Sequence, residues 1–243
     1  MKMDKLRAEK PVGYALVWII FYVFAGTIGL NLSEVFGISD SAAVLTIGIV
    51  MLCLFMAIRK NDMAKEVGLT KPSDEGAKKA LYYIPLVILI ALNAIGGFDS
   101  SLSAITMVVL TGEMLFAAIV EEIVFRGLLF TALSKDYNTK LAIIISGVTF
   151  GAGHIVNLLN GYSGIDQLLQ IVAAIAIGIV LALIFNLTGS INICIAFHFI
   201  FNISSSFSAP ISNTANIQIV AIFVVICAAY AIYLYKVSDI QDE

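Results

Sequence analysis

The chain has 243 residues, 60% of them hydrophobic and 13% charged, with a formal net charge of -3. Soluble domains run near half apolar and a quarter charged, so these proportions exclude an ordinary soluble fold and indicate a polytopic membrane protein. The acidic balance leaves no basic face to neutralise phosphates, which excludes nucleic acid as a partner.

Hydropathy gives eight candidate spans, near 13–32, 41–58, 80–97, 105–133, 140–158, 167–187, 190–207 and 217–235. The expected fold is therefore all-α, a membrane helix bundle of about eight transmembrane helices forming a single integral-membrane domain over residues 1–243. The first span follows a basic start, MKMDKLRAEK, but its apolar run exceeds a signal-peptide core and no convincing cleavage site ends it, so it should stay as an anchor. The 14 Lys and Arg fall in the N-terminal tail, the 59–79 loop, the 134–140 turn and the tail at Lys236, with Arg126 alone inside a span. The intervening loops hold Glu34, Asp40, Asp99 and Asp166. The positive-inside rule then puts both termini in the cytoplasm. The 59–79 loop reads as a solvated linker rather than a short amphipathic helix on the headgroups. Cys53, Cys194 and Cys227 fall singly in apolar segments, without metal or disulfide spacing, and read as small core residues.

The fourth span breaks the apolar pattern. Its stretch AAIVEEIVFRGLL, from Ala117 to Leu129, carries Glu121, Glu122 and Arg126. An ionised side chain near a helix centre costs about 2.5 to 3.5 kcal/mol on insertion scales, so three require compensation. Glu122 and Arg126 are four apart with the acid first, the favourable order for an intrahelical ion pair. Glu121 lies about 100° round the helix and is left free by that pairing.

The two histidines both fall inside later spans: His154 in TFGAGHIVNLL and His198 in NICIAFHFIFN. Asn202, four residues after His198, shares a helix face with it. Counted from Lys135 and Lys140, Glu121 and His154 are both about 21 Å of helix from the cytoplasmic edge, and His198 and Asn202 come out roughly 13 to 20 Å deep. Four polar groups from three helices thus converge near mid-membrane, within a catalytic core of about 111–207.

A carboxylate, two imidazoles and an amide around one buried point suit hydrolysis of an amide bond by water. Glu121 is the expected general base, with His154 holding or sharing the water. His198 and Asn202 would donate to the oxyanion of the tetrahedral intermediate. No cofactor is needed for that reading. A zinc site formed by Glu121, His154 and His198 stays open beside it, because two histidines, a glutamate and a water are an ordinary catalytic set.

These residues resemble the CPBP intramembrane proteases, which include type II CAAX prenyl endopeptidases and the bacteriocin-processing or immunity proteins also called the Abi family. The Glu-Glu-x-x-x-Arg motif is matched by Glu121, Glu122 and Arg126, Phe-x-x-x-His by Phe150 and His154, and His-x-x-x-Asn by His198 and Asn202. The resemblance implies that Glu121 and the two histidines are catalytic, that Asn202 assists at the oxyanion, and that Glu122, Arg126 and Phe150 support the site. It also implies an intramembrane endopeptidase, multi-pass in a prokaryotic plasma membrane, whose peptide or protein substrate enters from the cytoplasmic side or the bilayer.

Other polar residues are discounted. Glu113, eight before Glu121, is expected at the outer interface rather than in the cavity. Asn157 and Asn160 belong to the end of the fifth span and its loop, and the glycosylation patterns at Asn186 and Asn202 are chance matches. Tyrosines and the other aromatics read as packing or interface anchors. Two rival functions remain: a non-catalytic immunity or scaffolding protein of the same fold, and a proton-coupled transporter, against which no inverted repeat is found.

Overall fold

Apolar runs that lie in hydrocarbon must satisfy every backbone group internally, and helices do so within one segment. The computed structural model describes residues 3–36, 41–160, 164–238 and 240, and within them all the regular structure is helical. In chain order the helices are α1 (Met3–Glu9), α2 (Pro11–Phe36), α3 (Ser41–Lys60), α4 (Asp74–Lys79), α5 (Ile84–Asn93), α6 (Ala104–Glu122), α7 (Thr131–Asp136), α8 (Thr139–Gly153), α9 (Gly164–Thr188), α10 (Asn192–Ser206) and α11 (Asn213–Val237). A π-helix, Ile123–Phe130, joins α6 to α7 without a break, and a 3-10 helix, His154–Asn160, continues α8. Polar side chains set several starts: Ser103, Asn138 and Ser212 accept the backbone N–H of Thr106, Leu141 and Ala215 at the beginnings of α6, α8 and α11.

Among the described residues five helices are long and apolar enough to cross a bilayer: Pro11–Ser33, Ser41–Lys60, Thr139–Leu158, Gly164–Thr188 and Asn213–Val237. Two further expected spans fall on the shorter apolar helices Leu81–Asn93 and Asn192–Ser206. The remaining one is α6 with its π-helix, where Glu113, Glu121, Glu122 and Arg126 interrupt the apolar run. The protein is a multi-pass membrane bundle whose burial runs opposite to that of a soluble domain. Phe24, Leu45 and Val225 are exposed, while Glu122 and Arg126 are sealed inside. Cys53 is exposed on α3, not packed in the core as expected, whereas Cys194 and Cys227 are buried.

The 59–79 segment is no solvated linker. Met63 and Val67 are buried, and the turn at Gly68, with φ +75°, rests against Phe185. Glu66 takes Arg7 at 3.2 Å and Lys135 at 2.7 Å, and Lys60 reaches Asp4 at 2.8 Å, so basic residues from three stretches gather at one end of the bundle. The opposite end is closed by the bridge between Phe98 and Ser208, with Ala209 N–H donating to Gly97 at 2.9 Å. Of the acidic residues expected there, Asp40 and the side chain of Glu34 lie outside the described residues, as does the side chain of Asn160.

Helices α8 and α9 meet at glycines. A Cβ on Gly147 would lie 2.9 Å from the backbone nitrogen of Ile179, and one on Gly178 would lie 3.0 Å from the carbonyl oxygen of Gly147. That approach fixes α8, which ends in Phe150 and His154, against α9 and beside the π-helix that carries Arg126.

Candidate active site

The four-residue spacing of Glu122 and Arg126 produces the expected ion pair, with Arg126 Nη1 donating to Glu122 Oε1 at 2.8 Å. Both side chains have 0% exposure. Such a pair needs partners for its remaining polar atoms, and only some of them find one: Arg126 Nε and Glu122 Oε2 are buried with no hydrogen-bond partner among the described residues. Arg126 Nη2 donates to the carbonyl of Gly178 on α9 at 3.2 Å, and its Cζ sits 4.4 Å above the Phe150 ring. The π-helix begins one residue after Glu122, and hydroxyls serve its widened turns: Ser146 donates to Phe125 O at 2.9 Å and Thr131 to Arg126 O at 3.3 Å.

Glu122 does more than neutralise Arg126. Its Oε1 is also 2.8 Å from Nδ1 of His198. An ionised carboxylate only accepts, so Nδ1 carries the proton and Nε2 points the other way. There it meets Oε2 of Glu121 at 3.4 Å. The other Glu121 oxygen, Oε1, accepts a 2.6 Å hydrogen bond from the hydroxyl of Tyr22 on α2. A continuous polar chain thus runs from Tyr22 through Glu121, His198 and Glu122 to Arg126. Access is graded along it: Glu121 and His198 keep 13% and 8% exposure, whereas Glu122 and Arg126 keep none. The first two stay partly accessible, and the last two are sealed behind them.

His154 joins this group through Phe150. The Phe150 ring lies 5.2 Å from the His154 ring and 5.6 Å from the His198 ring, edge-on to both. His154 Nδ1 is 3.1 Å from the carbonyl of Phe150, which can only accept, so Nε2 is the free acceptor of the neutral ring. Gln167, fully buried on α9, donates from Nε2 to the His154 carbonyl at 2.8 Å and so fixes the backbone at the change from α8 to the 3-10 helix. Asn202 is half-buried one turn after His198 on α10.

The structure thus links Glu121, His198, Glu122 and Arg126 in a row, with the Phe150 ring against Arg126 and His198, and sets His154 against the same ring. Glu113, expected at the outer interface, is instead buried at 9% exposure, and its charge acts on Tyr22. Tyr22 and Gln167 were not singled out from sequence, since nothing in the hydropathy of α2 or α9 separates them from packing residues. Among the described residues no group of three or more His, Cys, Asp or Glu side chains is arranged to hold a metal ion. Glu121 and His198 face each other, while His154 Nδ1 turns to the Phe150 carbonyl.

Residues 103–204 match the family described as Type II CAAX prenyl endopeptidase Rce1-like. The matched stretch begins at the N-cap of α6 and ends in α10, taking in every motif residue and leaving out α2. No curated protein and no solved structure matched the chain.

Proposed function

Because the chain carries, over residues 103–204, the sequence of the Rce1-like type II CAAX prenyl endopeptidase family, we propose that it cleaves a peptide bond in a membrane-associated peptide or protein of CAAX type, using Glu121 to activate water. The observation that carries this reading is the contact of Glu121 Oε2 with His198 Nε2 at 3.4 Å, in a site where Glu122 already holds the other imidazole nitrogen.

In this mechanism Glu121 Oε2 takes a proton from water, and the resulting hydroxide attacks the carbonyl carbon of the scissile bond. His154, with Nε2 free to accept, holds the second hydrogen of that water. When the His198 ring carries both protons, Nδ1 donates to Glu122 and Nε2–H donates to the oxyanion, joined by the Asn202 carboxamide. Glu121, Glu122, Arg126 and that imidazolium then sum to zero charge, the state that costs least in hydrocarbon. Collapse of the intermediate breaks the C–N bond, and the proton on Glu121 passes to the departing amine. The mechanism requires no metal. In this reading the protein sits in a prokaryotic plasma membrane with both termini cytoplasmic, which the distribution of Lys and Arg supports, and substrate enters from that side or from the bilayer.

The test is cleavage of a peptide panel by the purified protein in liposomes, with a prenylated CAAX peptide and its unprenylated twin, before and after metal stripping. Glu121→Gln and His154→Ala should each lower the rate at least about 10³-fold, and stripping should leave it unchanged. Wild-type cleavage by either variant would discard the mechanism. Activity lost on stripping and restored by zinc would replace it with a metal-dependent one.

A further inference from the structure

We infer that Tyr22, from a helix outside the family match, is a positioning residue for Glu121 that decides which carboxylate oxygen receives the proton; this rests on the hydrolytic reading above. Tyr22 lies eleven residues into α2, about 17 Å along the helix, which puts it near the depth expected for Glu121. A hydroxyl at that depth has no water and must find a partner. The carboxylate within its reach is that of Glu121, which keeps 13% exposure, while Glu113 on the same helix is buried at 9%. A hydroxyl has one proton to give, and it goes to Glu121 Oε1 at 2.6 Å, a length typical of O–H to an ionised oxygen.

The consequence lies on the other oxygen. With Oε1 already holding the Tyr22 hydroxyl, Oε2 carries the less encumbered lone pairs of Glu121. That atom is 3.4 Å from His198 Nε2, outside ordinary hydrogen-bond length, so its lone pairs remain available to water on the side where the oxyanion donor stands. Without the tyrosine hydroxyl the carboxylate can rotate about its terminal torsion, a broad two-fold well, and present either oxygen. The N-terminal helix is thereby part of the reacting geometry as well as of the bundle wall.

Tyr22→Phe keeps the ring and removes the donor. Infrared spectra of wild type, Glu121→Gln and Tyr22→Phe, recorded in the same detergent, assign the Glu121 carboxylate band and show whether it depends on Tyr22. The band should move in Tyr22→Phe, and kcat should fall about 10- to 100-fold with KM unchanged, the size expected for one hydrogen bond to a charged group. Tyr22→Leu, which also removes the ring, should fall no further in kcat than Tyr22→Phe. An unmoved band overturns the inference whatever the activity. A moved band with wild-type kcat overturns it too, and so does full activity in Tyr22→Phe with loss only in Tyr22→Leu, which would make the ring a packing element. If the wild type cleaves no peptide in the panel, the hydrolytic reading and this role fall together, and the infrared result alone reports the hydrogen bond.

Discussion

One oxygen of Glu122 serves two donors: Oε1 lies 2.8 Å from His198 Nδ1 and 2.8 Å from Arg126 Nη1. The carboxylate links α10 to the π-helix, and the imidazole it orients is the one that faces Glu121. Sequence spacing shows only half of this, the pair with Arg126.

The shared oxygen makes the pair fragile to single changes and tolerant of a double one. Arg126→Met leaves a fully buried carboxylate without its cation and should cost about 3 to 5 kcal/mol of stability. Glu122→Leu alone should cost a similar amount, because Arg126 then stays buried unpaired. The double variant removes both charges and should be no less stable than the weaker single one, a coupling read by denaturant unfolding in micelles. The two variants that lack Glu122 should lose catalysis, since neither orients His198. Additive losses in the double variant would mean that the two side chains do not act as a pair.

Phe150 is the one ring that touches Arg126, His154, His198 and Phe125. Phe150→Leu keeps an apolar side chain there but loses the face under the guanidinium and the edges beside both imidazoles. Stability should drop by about 2 kcal/mol, the size of a desolvated cation–π contact. Peptide cleavage should slow by at least about tenfold at saturating substrate, as both histidines lose a wall. A variant that unfolds earlier yet turns over like wild type at low temperature would limit Phe150 to a packing role.

What the sequence showed and what it hid divide along the range of the interactions. The Glu122 to Arg126 pair, the face shared by His198 and Asn202, and the helical spans follow from local periodicity, which operates within a few residues. Tyr22 meets Glu121 across 99 positions, a pairing that depends on how α2 is rotated and packed and leaves no local mark. The burial of Glu113 was hidden for the same reason, because depth along a helix does not give its azimuth. His154 shows the same limit: its depth could be counted along the helix, but the direction of its Nδ1, toward the Phe150 carbonyl, could not. The burial of Met63 and Val67 was masked by the hydrophilic residues around them in the 59–79 loop.

Distance effects should also be visible where no polar group is touched. A methyl added at Gly147 would lie 2.7 Å from Ile179 Cγ1 and 2.9 Å from the Ile179 backbone nitrogen, so Gly147→Ala has to push α8 away from α9. The displaced helix carries Phe150 and His154, and the α9 carbonyl it packs beside, that of Gly178, is an acceptor for Arg126. Overpacking of this kind costs about 1 to 3 kcal/mol. Cleavage should fall further than stability, because a shift of an ångström in Phe150 and His154 is felt by both imidazoles. Gly26→Ala is the matched control: nothing lies within 4 Å of its added methyl, and in a helix interior alanine should be neutral or better by up to about 1 kcal/mol. Activity is compared at a temperature where both variants are folded by unfolding melts. Equal behaviour of the two alanine variants would show that the spacing of α8 from α9 does not govern the site.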